Sequence, residues 1–237
     1  MSTVTNAGAL IRQVLVRLTL SLLFISHAAH SASSDFDLLL TTALTHDRTA
    51  LQQHLADGNS LDLHDARGRS LVLRVTMKND MKALQLLIEL GADVDYFNPA
   101  LAAGVIDQTA FLYAGAKGVN PALQLLIDAG ARADIYNYYG GTALIPAAEK
   151  GHIATVKLLL EKSQVDINHV NNLGWTALME AVLLSDGGPQ HQQIIALLLA
   201  HGADPNITDL DGISALQHAQ NKGYRKIVEL LQQQQQH

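Results

Sequence analysis

The sequence predicts an all-α fold, a solenoid of about six helix-turn-helix units with projecting loops. Three observations carry this. The triplet Thr142-Ala143-Leu144 recurs at Thr176-Ala177-Leu178, with relatives at Ser70-Leu71-Val72, Thr109-Ala110-Phe111 and Ser214-Ala215-Leu216. Their first residues lie 39, 33, 34 and 38 positions apart, as expected of a basic unit of about 33 residues with two short insertions. A second marker, "LLIELGADVD" (86–95), is echoed by "LLIDAGARAD" (125–134), "LLLEKSQVDIN" (158–168) and "LLLAHGADPN" (197–206), with a weaker copy, "LADGNSLD", at 55–62. Finally, Asn79, Gly118, Gly151 and Gly223 each stand nine residues after an opening Ser or Thr, and all suit the left-handed conformation that ends a helix.

The elements follow in order. Residues 1–31 contain no acidic group, carry Arg12 and Arg17, and run through "LTLSLLFI" into the small-residue stretch "SHAAHSASS". This is the layout of a secretory signal peptide. Its apolar run, Leu18 to Ile25, is far short of the roughly 20 residues that span a bilayer, so cleavage rather than anchoring is expected, with no membrane segment in the mature chain. Residues 32–64 are expected to form an N-terminal capping unit, followed by internal units at 65–98, 104–136, 137–170 and 171–208. A C-terminal cap with a Gln-rich tail occupies 209–237. Within each unit the opening Thr or Ser is the expected N-cap of a short helix, its hydroxyl accepting a free amide of the first turn. The left-handed residue makes a tight turn, and a longer helix and an extended loop follow. In the second helix of the fourth unit Ile153, Val156, Leu159 and Leu160 form one apolar stripe, which needs a neighbouring unit to cover it. Pro146, about four residues into its helix, puts the regularity of that first turn in doubt. The insertions fall near Asn98 to Ala103 and near Leu184 to Gln190, the latter a flexible turn by its "SDGGP" composition.

The stretches "GGTALIPAAEKGHIATVKLLLEKSQVDIN" and "LGWTALMEAVLLSDGGPQHQQIIALLLAHGADPN" resemble ankyrin repeats, whose run is G-x-T-P-L-H-x-A-A-x-x-G-H, then I-V-x-x-L-L, then G-A-D-V-N. The resemblance covers about residues 36 to 231 and is narrowest to small stand-alone bacterial ankyrin-repeat proteins. It implies paired antiparallel helices stacked into a curved solenoid, a non-enzymatic binding scaffold, and a concave face edged by loop tips. The chain departs from the family where T-P-L-H becomes Thr-Ala-Leu followed by Ile145, Met179 or Gln217. The pre-set backbone of Pro and the hydrogen bond of His are both missing there.

Composition narrows the function further. A formal charge of −6 without any Lys/Arg run speaks against nucleic-acid binding. Loss of Arg12 and Arg17 with the leader leaves 14 basic against 22 acidic residues, near −8, which favours a basic partner through steering. The chain has no Cys, so thiolate zinc sites, thiol nucleophiles and disulfides are excluded together. Its His residues show no ligand spacing, and neither metal nor cofactor is expected. Glu149 and His152 in "EKGH" invite reading as an acid/base pair, but Gly151 occupies the helix-ending slot, and the equivalent positions elsewhere hold Ala116 and Val119, or Asn221 and Tyr224. A turn, not chemistry, makes them neighbours.

The expected function is that of an exported, periplasmic, monomeric scaffold that binds another protein non-covalently, for instance as an inhibitor or immunity protein. Ten aromatic residues remain after the leader, and five of them, Tyr96, Phe97, Tyr136, Tyr138 and Tyr139, fall in two inter-unit loops. Trp175, the sole Trp, directly precedes an opening Thr. These are candidate partner-binding anchors, because large rigid rings give contact area at small entropic cost. Glu149, Glu180 and Asp186 are expected to form an acidic rim beside Trp175. The alternative is a small-molecule or peptide receptor built on an aromatic and acidic pocket between the fourth and fifth units.

Overall fold

The computed structural model describes residues 34–97 and 109–234. The expected leader (1–31), the insertion at 98–103 and the last residues of the Gln-rich tail lie outside them. Twelve helices occur among the described residues. They are α1 (34–44), α2 (Arg48–Ala56), α3 (Leu71–Met77), α4 (Met81–Glu89), α5 (Ala110–Lys117), α6 (Asn120–Asp128), α7 (Leu144–Glu149), α8 (Ile153–Lys162), α9 (Ala177–Leu183), α10 (Pro189–Ala200), α11 (Ala215–Asn221) and α12 (Arg225–Gln234). No strand forms among the described residues, and only two isolated antiparallel bridges occur, His64 with Ser70 and Thr208 with Ser214.

The helices pair and stack. From α3 onward each odd-numbered helix packs on the even-numbered one after it, on the odd-numbered helix of the next unit, and so does each even-numbered helix on its own successor. Five first helices (α3, α5, α7, α9, α11) thus form one layer and five second helices (α4, α6, α8, α10, α12) the other. The core is one continuous apolar seam from Phe36 to Leu231, sewn by residues such as Leu73, Leu87, Phe111, Leu126, Leu159 and Leu198. No unit could bury its stripe alone, which is the physical reason for stacking. The first layer is close: a Cβ on Gly115 of α5 would fall 2.7 Å from the Cβ of Ala143.

Local signals built the helices largely as the sequence indicates. Asn79 (φ 56°), Gly118 (70°), Gly151 (77°) and Gly223 (71°) all occupy the left-handed region. Ser70, Thr109, Thr176 and Ser214 accept the amides of Leu73, Leu112, Met179 and Gln217, and Gln217 returns a bond from the Ser214 amide to make a capping box.

Thr142 corrects the pattern. It is not an N-cap: that place falls to Ala143, which is already helical (φ −61°, ψ −24°), and α7 starts one residue late and runs only six residues. The buried Oγ1 of Thr142 has no hydrogen-bond partner. Pro146 explains this, because it lacks the amide that would bond the Thr142 carbonyl and its ring would collide with that carbonyl four residues back. The doubt that Pro146 raised was thus justified, and its consequence reaches the cap as well as the turn.

Candidate functional site

The loops that precede α3, α7, α9 and α11 share a geometry built on one Asp or Asn five residues before the opening Ser or Thr. Asp65, Asn137, Asn171 and Asp209 each accept, through Oδ1, the backbone amides two and four residues on. Their own amides donate to the carbonyls of Arg69, Gly141, Trp175 and Ile213. This short side-chain-to-backbone loop is what an Asx residue stabilises. In three of the four, the second polar atom of the Asx then meets the residue nine positions on, in the first helix. Asp65 Oδ2 accepts from Arg74 at 2.6 Å and from Arg69 Nε at 2.7 Å, Asn171 Nδ2 donates to Glu180 Oε1 at 2.8 Å, and Asp209 Oδ2 lies 2.7 Å from His218 Nε2. In each pair an acceptor meets a donor.

The fourth unit breaks the series, because the residue nine beyond Asn137 is Pro146, which offers no polar side chain. There a cleft of about 290 Å³ opens between the fourth and fifth units. Tyr139, Ile145, Pro146, Leu173, Trp175 and Leu184 give it apolar walls, and Asn137, Asn171, Glu149, Lys150 and Glu180 bring polar groups to it.

Glu180 is the unusual group. It sits on α9 with 6% of its surface exposed, and its carboxyl is pushed up to about 7 by burial and then by the charge of Glu149, while the Asn171 hydrogen bond and the Lys150 charge pull the other way. Asp65 shows the opposite balance: burial would raise it, but the hydrogen bonds from Arg69, Arg67 and Arg74 outweigh burial and lower it to about 2. One scaffold position, the Asx and its partner, is thus an ion pair in the second unit and a desolvated carboxyl accepting an amide hydrogen bond in the fifth.

The candidate residues separate. Tyr139, Trp175, Glu149 and Glu180 line the cleft. Trp175 is half-buried and packs against the core, whereas Tyr139 is exposed and meets Tyr138 edge to face at 5.3 Å. Tyr138 is 57% exposed and stands outside the cleft. Tyr136 stacks on the His169 ring of the following loop at 4.3 Å, and Tyr96 is parallel to His64 at 6.4 Å. Both therefore join neighbouring loops. Phe97 is half-buried, at the edge of the described residues.

The expected acidic rim is corrected in two respects. Asp186 does not line the cleft; it is exposed in the turn before α10, where Oδ1 accepts the Gly188 amide at 2.8 Å. Glu180 is not a rim residue, being buried under it. Glu149 and His152 share no hydrogen bond; the His152 ring lies over Gly118 of the preceding unit, and burial followed by the Lys150 charge lowers its pKa. Sequence reasoning missed Asn137, Asn171 and Leu173, although the recurrence of Asp or Asn five residues before four of the five openers was there to be read. Among the described residues no cluster of side chains could hold a metal ion, and no helix is long and apolar enough to cross a membrane.

Comparison with known proteins gives a consistent result. A sequence profile of ankyrin repeats, in three copies, matches residues 77–171, 111–209 and 163–237. The ankyrin repeat protein YahD of Escherichia coli (strain K12) is similar, with 34% identity over 182 residues, spanning 75% of this chain and 85% of that protein. Among solved structures, an ankyrin repeat domain from Acinetobacter baumannii AYE is 43% identical with a TM-score of 0.74, covering 83% of this chain and 97% of its own. The ankyrin repeat protein EF0377 is 38% identical with a TM-score of 0.72, covering 82% and 96%.

Proposed function

Because the chain belongs to the ankyrin-repeat family, whose members generally serve as non-enzymatic scaffolds for protein–protein interaction, we propose that it binds another protein non-covalently through the face formed by its loop tips and first helices. One observation carries the reading: large apolar side chains are left exposed at the loop tips of three successive units. Tyr138 and Tyr139 belong to the fourth, Leu173 to the fifth and Leu210, 81% exposed, to the sixth. The tips adjoin, since Asn172 donates to the Tyr139 carbonyl at 2.9 Å and the Leu210 side chain closes over Gly174. A contiguous apolar strip of this kind on a soluble protein marks a contact surface.

The acid-free leader with its short apolar core supports export to the periplasm, and the negative charge suits a basic partner. An inhibitor or immunity protein that neutralises a toxic enzyme in that compartment fits both. A small-molecule receptor would use the cleft, but about 290 Å³ lies at the bottom of the usual range for ligand pockets, roughly 300–1,000 Å³.

The test is crosslinking and capture from native periplasm, with bound protein identified by mass spectrometry. Replacing both Tyr138 and Leu210 by Ala should weaken capture at least tenfold, about 1.4 kcal/mol, without changing the fold. Undiminished capture rejects this surface. Intact mass should show a mature start between Ala29 and Ser33; an uncut chain in the cytoplasm rejects export.

A further inference from the structure

We propose that the cleft between the fourth and fifth units is a socket for an arginine side chain of the bound protein. The inference rests on the protein-binding reading and adds the chemistry of the contact. A cleft of about 290 Å³ suits one long side chain better than a free metabolite. Its walls include two aromatic rings, Tyr139 and Trp175, and its carboxylates, Glu149 and Glu180, come from successive first helices, α7 and α9. Glu180 uses Oε1 to accept from Asn171 at 2.8 Å. Among the described residues no donor reaches its Oε2.

The one cation at the cleft, Lys150, does not answer this need. Its ammonium donates to the Ala116 carbonyl of the preceding unit at 3.2 Å and pairs with neither carboxylate. With both carboxyls ionised the cleft carries one uncompensated negative charge, and Glu180, the more buried of the two, has little water to screen it. Burial first, and the Glu149 charge second, raise the Glu180 carboxyl, and a cation seated between the two would oppose both.

Arginine fits better than lysine for two physical reasons. Its planar guanidinium stacks on aromatic faces while its fork of N–H groups reaches a carboxylate, and it sheds water more readily than an ammonium. Entry of the guanidinium would supply Glu180 Oε2 with a donor and offset the Glu149–Glu180 repulsion at once. The recognised feature is then an exposed arginine beside an apolar patch, the patch lying on Tyr138, Leu173 and Leu210.

Trp175 is the only Trp in the chain and lines the cleft, so its fluorescence reports occupancy directly. The experiment titrates the whole protein at pH 8 and low salt with N-acetyl-arginine methylamide, and in parallel with the neutral isostere made from citrulline and the counterpart made from lysine. The expected result is a saturable change with the arginine probe, binding at least fivefold tighter than either of the others. Glu180→Gln should weaken the arginine probe at least tenfold while the far-UV circular dichroism stays unchanged, and Glu149→Gln should weaken it less. Equal binding of the citrulline or lysine probe, an unaltered affinity in Glu180→Gln, or no saturable response overturns the socket. Should a partner still be captured by Glu180→Gln while arginine selectivity is missing, the socket falls and the protein-binding reading stands.

Discussion

Glu180→Gln should stabilise the protein at alkaline pH and leave it nearly unchanged in acid. The folded-state carboxyl stands at about 7 against an ordinary 4.5, so folding favours the protonated form. The stability this provides is fully present below 4.5 and is lost as pH rises through 7. At about 1.36 kcal/mol for each pKa unit, ionised Glu180 costs the folded state about 3 kcal/mol. Gln keeps an oxygen for the Asn171 donor and carries no charge. Urea unfolding of the two proteins should therefore give curves within about 0.5 kcal/mol near pH 4.5 and about 3 kcal/mol apart at pH 8, with the mutant the more stable and the slopes equal. Asp65, lowered to about 2, loses its contribution only in stronger acid, and does so in both proteins, so it cancels. A separation that stays constant from pH 4.5 to 8 would mean that Glu180 titrates as an ordinary surface carboxyl and that its burial costs nothing.

Three further outcomes test the packing by thermal or urea denaturation. Thr142→Val should be neutral or stabilising by about 1 kcal/mol, since it removes a buried hydroxyl without a partner, whereas Thr176→Val should cost about 1 kcal/mol by losing a cap; equal losses would contradict the late start of α7. Gly115→Ala should destabilise by about 1–3 kcal/mol despite the better helix propensity of Ala, because the new Cβ meets Ala143 at 2.7 Å; a stabilised variant would show that the first layer has slack. Leu159→Ala and Leu198→Ala, both fully buried, should each cost about 2–5 kcal/mol, and losses below about 1 kcal/mol would argue against a seam shared between units.

The solenoid was legible because its determinants are local. A hydroxyl that reaches an amide three residues on, a left-handed Gly or Asn nine residues after it, and an apolar stripe of period 3.6 are each decided within one unit. Repetition then fixes the stacking. Thr142 and Pro146 are also neighbours in sequence, which is why the irregular turn was foreseeable even though the stranded hydroxyl was not.

The site depends on what crosses between units. Glu149 and Glu180 are 31 positions apart, Tyr136 and His169 are 33 apart, and only the stacking distance sets the repulsion of the first pair and the contact of the second. Glu180 and Asp186 look alike in sequence, six residues apart, yet one is buried in α9 and the other exposed in the turn that follows. Sequence determined which residues make helices and turns, because backbone hydrogen bonding and side-chain periodicity are short-range. Tertiary structure alone decided which carboxylate loses its water and which aromatic rings remain free, because desolvation depends on every unit packed around the group.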